Sequence, residues 1–308
     1  VEGYKEYDKV KQGRDGTPIN VRKYEYTEHS ATVNLPGTEG SSSSSSSSGG
    51  ETIDITIYPV AKEIAYPKVD GSSPIETSYA YTWYFDSVQM EQRTTTLPAV
   101  SSSQNGSGTS ATRVERFDEF GHVVWTKDER GYISYREYDL ASGNVTKSIE
   151  DVDDTTFTVP SGWSTPTGGG KHLVTDFEYD NLDRLVQTLG PAHHVQGMTV
   201  RTASWTVHKT ADRETRSAQG YAVSDGQGGY TYTLVNPVQI EKHNATGTRS
   251  ESISATRATT SGKLSASDTF AQSSYTRWSV SLSNDAGQLT ATRVYHTIPT
   301  SGDGNSGT

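Results

Sequence analysis

The chain has no cysteine among its 308 residues. Disulfides, zinc–thiolate centres and thiol nucleophiles are therefore excluded. It also lacks any run of about eighteen apolar residues, so no segment reads as inserting into a membrane. Hydrophobic residues make up 31%, against roughly 45–50% with glycine counted in an ordinary globular chain. That poverty would suit disorder, but 18 Tyr and 5 Trp are too many aromatics for a solvating tail. A sheet-rich protein with much wetted surface fits better. The net charge of −10 argues against nucleic acid, whose phosphates need clustered Lys and Arg. No stretch of ten residues carries a capped stripe of helical period. Nucleophile-elbow, zincin and phosphate-loop motifs are absent too. Neither an enzyme nor a cofactor is expected.

What is present is a repeated phrase. Phe117-Asp118-Glu119-Phe120-Gly121-His122-Val123 reads aromatic, Asp, two free positions, Gly, one free position, aliphatic. Tyr138-Asp139 with Gly143-Asn144-Val145 repeats it with one residue added. Tyr179-Asp180-Asn181-Leu182-Asp183-Arg184-Leu185 repeats it with Asp183 in the Gly place. A faded copy, Ser283-Asn284-Asp285-Ala286-Gly287-Gln288-Leu289, has Ser283 in the aromatic place and Gln288 in the Arg place. The spacing is close to one or two periods of about twenty residues, the mark of stacked supersecondary units. Asp bonds its own backbone in a turn, and Gly takes positive φ without steric cost. Each phrase therefore predicts the bend of a β-hairpin. Val123–Thr126 and Tyr132–Tyr138 are expected as strands around a second turn at Asp128–Gly131, and a ribbon so poorly apolar must pair with neighbours.

This phrase resembles the YD-repeat, or RHS-repeat, family. Phe117, Asp118, Gly121, Gly131, Tyr138, Asp139, Gly143, Tyr179, Asp180 and Arg184 carry the likeness, with Val123, Val145 and Leu185. It is clear over 117–189 and faint at both ends. The resemblance implies an all-β fold of tandem hairpins in one continuous coiled sheet, the wall of a shell or solenoid. It implies a large exported or cell-surface protein of bacterial type. In polymorphic toxins of the family the shell encloses a C-terminal toxin, and in teneurins the repeats serve adhesion. The expected partners are neighbouring repeats of the same or an identical chain, with glycans or a target-cell surface as the alternative.

Along the chain, 1–40 reads as a degenerate hairpin repeat with a strand at Ile19–Tyr26. Residues 41–50 are a linker or loop whose serines, Ser41, Ser42, Ser43, Ser44, Ser45, Ser46, Ser47 and Ser48, are also candidate O-glycan sites. The segment 51–112 holds strands, among them a half-buried one with Ile53, Ile55 and Ile57 on one face, followed by a Ser/Thr-rich excursion. The span 113–190 carries the best repeats with an insertion at 150–171, and 191–308 holds degenerate ones. Strands between Asn236 and Phe270 read as weak because Ser and Thr dominate. The chain is expected to be a piece of a longer protein.

Other features have plainer readings. His193-His194 suits a surface turn better than a metal site. The acidic run Glu150–Asp154 lacks the glycine of a calcium loop. The Asp residues of the repeats are turn formers before they are a row of reactive carboxylates. Rows of Tyr and Trp are cross-strand ladders before they are sugar platforms. Three N-glycosylation triplets begin at Asn105, Asn144 and Asn244.

Overall fold

The computed structural model describes residues 2–11, 13–34 and 52–302. The protein is all-β, built from antiparallel strands that mostly pair with their sequence neighbours. No α-helix occurs among the described residues, only short 3-10 turns such as Thr210–Asp212. The chain forms two compact units. One comprises Val1–Glu137 and Glu150–His172, the other Tyr138–Ile149 and Leu173–Thr308. The segment of clearest repeats thus contributes to both.

In the first unit, β1 (Tyr7–Val10) pairs with β2 (Ile19–Tyr26). Next, β3 (His29–Asn34) and β4 (Thr52–Ile57) form a separate two-stranded ribbon. From β2 the sheet passes to β5 (Val60–Ala65), β6 (Ile75–Trp83) and β7 (Met90–Thr96). It ends through β8 (Thr112–Phe117), β9 (Val123–Lys127) and β10 (Ile133–Tyr138). Few apolar side chains here are buried: Ile64, Ile133 and Val152. The expected half-buried face of β4 is covered only in part, for Ile53 is exposed while Ile55 and Ile57 are intermediate. A two-stranded ribbon has too few neighbours to cover a face.

The insertion after residue 150 is an ordered cover. The Asp151 carboxylate accepts the backbone N–H groups of Gly170 and Lys171 at 2.8 and 3.1 Å. This pins both ends of the loop. Val152 is completely buried, and the Phe157 ring lies 5.1 Å from Tyr135 and 5.9 Å from Trp125. The acidic run therefore closes a loop through its carboxylates and main chain.

The second unit holds β11 (Val145–Glu150) as far as Ile149, then β12 (Leu173–Tyr179), β13 (Leu185–Val195) and β14 (Met198–Lys209). It continues with β15 (Glu214–Ser224), β16 (Tyr230–His243), β17 (Arg249–Ala255), β18 (Tyr275–Ser283) and β19 (Leu289–Tyr295). From β12 to β19 each strand pairs antiparallel with the next. The Tyr179 hydroxyl donates to the Val145 carbonyl at 3.0 Å, bringing β11 beside β12. Leu189, Trp205, Leu234, Val238, Ile240, Ile253, Trp278 and Val280 form one buried cluster. More than half of it comes from 236–280, including the stretch whose sequence reads as weak. There Val238 and Ile240 alternate with polar residues, as do Ile253 and Ala255. A strict period of two buries one face however polar the other is.

Between β17 and β18 the chain makes a flap, residues 256–274. Its centre bonds the first half of β16: the Leu234 N–H donates to the Thr260 carbonyl at 2.7 Å and the Gly262 N–H to the Tyr232 carbonyl at 2.8 Å. β17 pairs with β16 only from Val238 onward. One long strand therefore has two successive partners along the same edge.

Candidate functional site: aspartate corners and the flap clefts

The repeated phrase is a single piece of backbone chemistry. At Asp118 the main-chain N–H donates to the His122 carbonyl at 3.0 Å, and the Gly121 N–H donates back to the Asp118 carbonyl at 3.1 Å. The carboxylate accepts the N–H groups of Phe120 and His122 at 3.0 and 2.8 Å. Gly121 has φ +90°. This is a short hairpin loop closed by a left-handed residue, with a bulge in the strand entering it. The bulge falls between Arg116 and Phe117, so that Phe117 faces Val123. The aromatic and the aliphatic of the phrase are thus cross-strand partners.

The same bonds recur at Asp128, Asp180, Asp225 and Asn284. At Asp225 the left-handed position falls to Gly228, at φ 95°. Gly131 fills the left-handed position after Asp128, and Asp183 does so after Asp180 at φ 58°. Asp139 closes a loop one residue longer: its N–H reaches Asn144, its carboxylate accepts from Ala141 and Ser142, and Gly143 has φ 73°. Tyr138 and Tyr179 precede their aspartates as partly buried strand residues. Arg184 turns back onto Asp180, giving Nε and Nη2 to one carboxylate oxygen at 2.8 and 2.6 Å, and its Nη1 reaches the Thr210 hydroxyl.

These bonds set the acidity of the corners. Arg184 and the backbone N–H groups hold the Asp180 carboxyl down at about 2. Burial pushes the Asp118 carboxyl up, but the bonds from His122 and Phe120 outweigh it and leave it below its ordinary value. Backbone and hydroxyl donation from Ser142 lowers Asp139, and the N–H groups of Gln227 and Gly229 lower Asp225. Each shift has the same physical cause: donors aimed at the charged form favour it. A carboxylate held this way is a poor proton carrier near neutral pH.

The aromatic rows pack ring against ring across strands. Trp125 and Tyr135, directly opposite each other, have ring centroids 4.6 Å apart. Trp278 and Tyr295, also opposite, stack at 4.5 Å. Trp205 and Trp278 are buried. His193 and His194 stand exposed near the tip of the β13–β14 hairpin. No group of three or more metal-ligating side chains occurs among the described residues. The serines Ser41–Ser48 lie outside the described residues.

Sequence reasoning does not anticipate the clefts beside the flap. In one, Glu178, Gln187 and Trp205 occupy facing positions on β12, β13 and β14. Trp205 Nε1 donates to Gln187 Oε1 at 2.9 Å, and Gln187 Nε2 donates to Glu178 Oε1 at 2.6 Å. Lys263 of the flap donates to both Glu178 oxygens at 3.2 Å. In the other, Glu214 is buried with Arg216, bonded to its Nε, and accepts Lys242 at 3.1 Å. Arg216 reaches the Asp268 carbonyl, and the Asp268 carboxylate pairs with Arg257 at 3.2 Å. Charges so buried persist only when paired and hydrogen-bonded. Alternation in Glu214-Thr215-Arg216 was the available signal, but it is silent about the flap that covers it.

No family model matches the chain, and no curated protein matches it.

Proposed function

We propose that this chain is a non-catalytic structural segment of a large exported or cell-surface protein of the RHS/YD-repeat kind, laying down hairpin after hairpin of a β shell or fibre. In such a protein the wall would enclose a C-terminal toxin or present an adhesive surface. The observation that carries this reading is the recurrent corner. Five aspartate or asparagine side chains, at 118, 128, 180, 225 and 284, each turn one oxygen onto the same two local N–H groups. A device repeated for turning the chain is what a wall needs, because each added hairpin contacts mainly its neighbours. The Tyr179 and Tyr84 hydroxyls support it as well, since each donates to a carbonyl of another hairpin, Val145 at 3.0 Å and Phe117 at 2.6 Å. Adhesion through exposed aromatic rows has less support, because the rings face one another across strands.

Electron microscopy of the full-length gene product, with an epitope inserted into the 97–111 loop, tests the proposal. A β-walled shell or fibre carrying the label in its wall is expected. A label on a separate compact domain outside any such wall would refute it.

A further inference from the structure

The ribbon of β3 and β4 forms a sheet of its own, and its two faces differ. Cross-strand pairing puts Ala31 and Val33 with Ile53, Ile55 and Ile57 on one face, and Ser30 and Thr32 with Asp54 and Thr56 on the other. At the base of the apolar face His29, opposite Ile57, stacks on Trp83 at 4.2 Å. Towards the tip Ile53 is 44% exposed. Among the described residues β4 pairs with β3 alone, so its outer edge is open. We propose that this edge pairs antiparallel with the same edge of a second copy of the chain, whether or not the chain builds a wall.

The edge lacks the usual protections against such pairing. Open edges are blunted by Lys, Pro or a bulge. β4 reads Thr-Ile-Asp-Ile-Thr-Ile, and its register with β3 runs unbroken over all six of its residues. Elsewhere, pairings such as β1 with β2 and β8 with β9 are interrupted by bulges. Alternating β-branched residues with a single charge also favour association of strand with strand. The choice of partner follows from the edge itself, which is complementary to its own copy. With Ile55 opposite its counterpart, Ile53 falls opposite Ile57, and Asp54 opposite Thr56. A shift of one residue would turn the isoleucines onto the polar face. A shift of two either sets both Asp54 carboxylates face to face, which is repulsive, or leaves only residues 55–57 paired.

Both faces gain by this register. On the polar side the Thr32 hydroxyl already donates to Asp54 at 2.6 Å, and the Ser30 and Thr56 hydroxyls bond at 2.7 Å. A Thr56 hydroxyl that accepts from Ser30 has its own hydrogen to give to the facing Asp54, which extends the ladder across four strands. On the apolar side the bare Ile53 of one copy comes beside Ile57 at the covered base of the other. Both copies use the same patch, so the association closes at two. An edge of six residues covers less than the roughly 1,200 Å² of a stable interface. The dimer is therefore reversible, half-formed at about 10–100 µM.

The absence of cysteine from the chain permits a test of the register itself. Directly opposed strand residues have Cα atoms about 4.5–5.5 Å apart, within disulfide reach. Under mild oxidation the full chain carrying Ile55→Cys should form a disulfide-linked dimer on a non-reducing gel. Ile53→Cys alone should not, because its two copies lie about 14 Å apart, even though Ile53 is the more exposed. Mixed with Ile57→Cys it should cross-link. Sedimentation velocity of the unaltered chain should pass from monomer to dimer between about 5 and 500 µM. Ile55→Lys should raise that midpoint about tenfold or more, with the far-UV spectrum unchanged. Three results would each overturn the proposal: a monomer at every concentration, Ile53→Cys alone cross-linking as fast as Ile55→Cys, or a dimer unmoved by Ile55→Lys.

Discussion

The two units solve one problem by different means. In the first, few side chains are fully covered, and order comes from corner hydrogen bonds, half-buried ring contacts and the pinned 150–172 cover. In the second the same corners occur, but a continuous cluster from Leu189 to Val280 lies beneath the flap. Local turn chemistry shapes both; only the second adds a core that is non-local in sequence. A corner needs five residues and gives modest stability, whereas a buried Leu or Trp gives several times more but needs covering elements from far along the chain.

The sharpest way to break this contrast is to cut into the buried cluster. Leu234→Ala should cost about 2–5 kcal/mol, because Leu234 is 1% exposed. The half-exposed Ile55→Ala should cost about 1 kcal/mol or less. Urea unfolding read by hydrogen exchange in each unit separately gives both numbers. Equal losses would erase the distinction between the units.

Corners come next. Asp118→Ala strips the acceptor from two N–H groups and should destabilise the first unit by about 1–2 kcal/mol, visible as faster exchange of the Phe120 and His122 amides. A corner held by Gly121 alone would show no such change. Smaller, and opposite in sign, is Asp183→Gly. Asp183 holds φ 58° where the other corners hold glycine, and relieving that conformation should stabilise by roughly 0.5–1 kcal/mol.

The smallest effect is with pH. Asp180 has a folded pKa of about 2, depressed from an unfolded value near ~3.9. Its contribution is therefore fully present above the unfolded value and is lost as pH falls from about 4 towards 2. Thermal melts across that window should fall less steeply for Asp180→Asn than for the unaltered chain. Identical slopes would mean that the Arg184 contact does not hold in solution.

Much of this was legible in advance, and particular residues show why. Ile19–Tyr26 reads as a strand and is one, because alternation over eight residues is a local signal. Asp118, Asp139 and Asp180 read as turn formers, and each carboxylate bonds backbone N–H groups within its own turn. Ser224–Gly229 reads as a Gly-rich turn between two strands and is one, but the crowd of glycines hides that Asp225 closes it with the same backbone bonds as the other corners. The core at Val238, Ile240 and Ile253 was underrated, because serine and threonine on the solvent face dilute the average without changing the buried face.

By itself, then, the order of amino acids determined where this chain turns and that it is made of strands, since those choices depend on φ preferences and hydrogen bonds spanning about five residues. Tertiary structure decided which faces are covered, that β16 has two successive partners along one edge, and that Glu178 and Lys263, 85 positions apart, meet at a cleft. Those outcomes depend on contacts whose members lie too far apart along the chain for any local pattern to announce them.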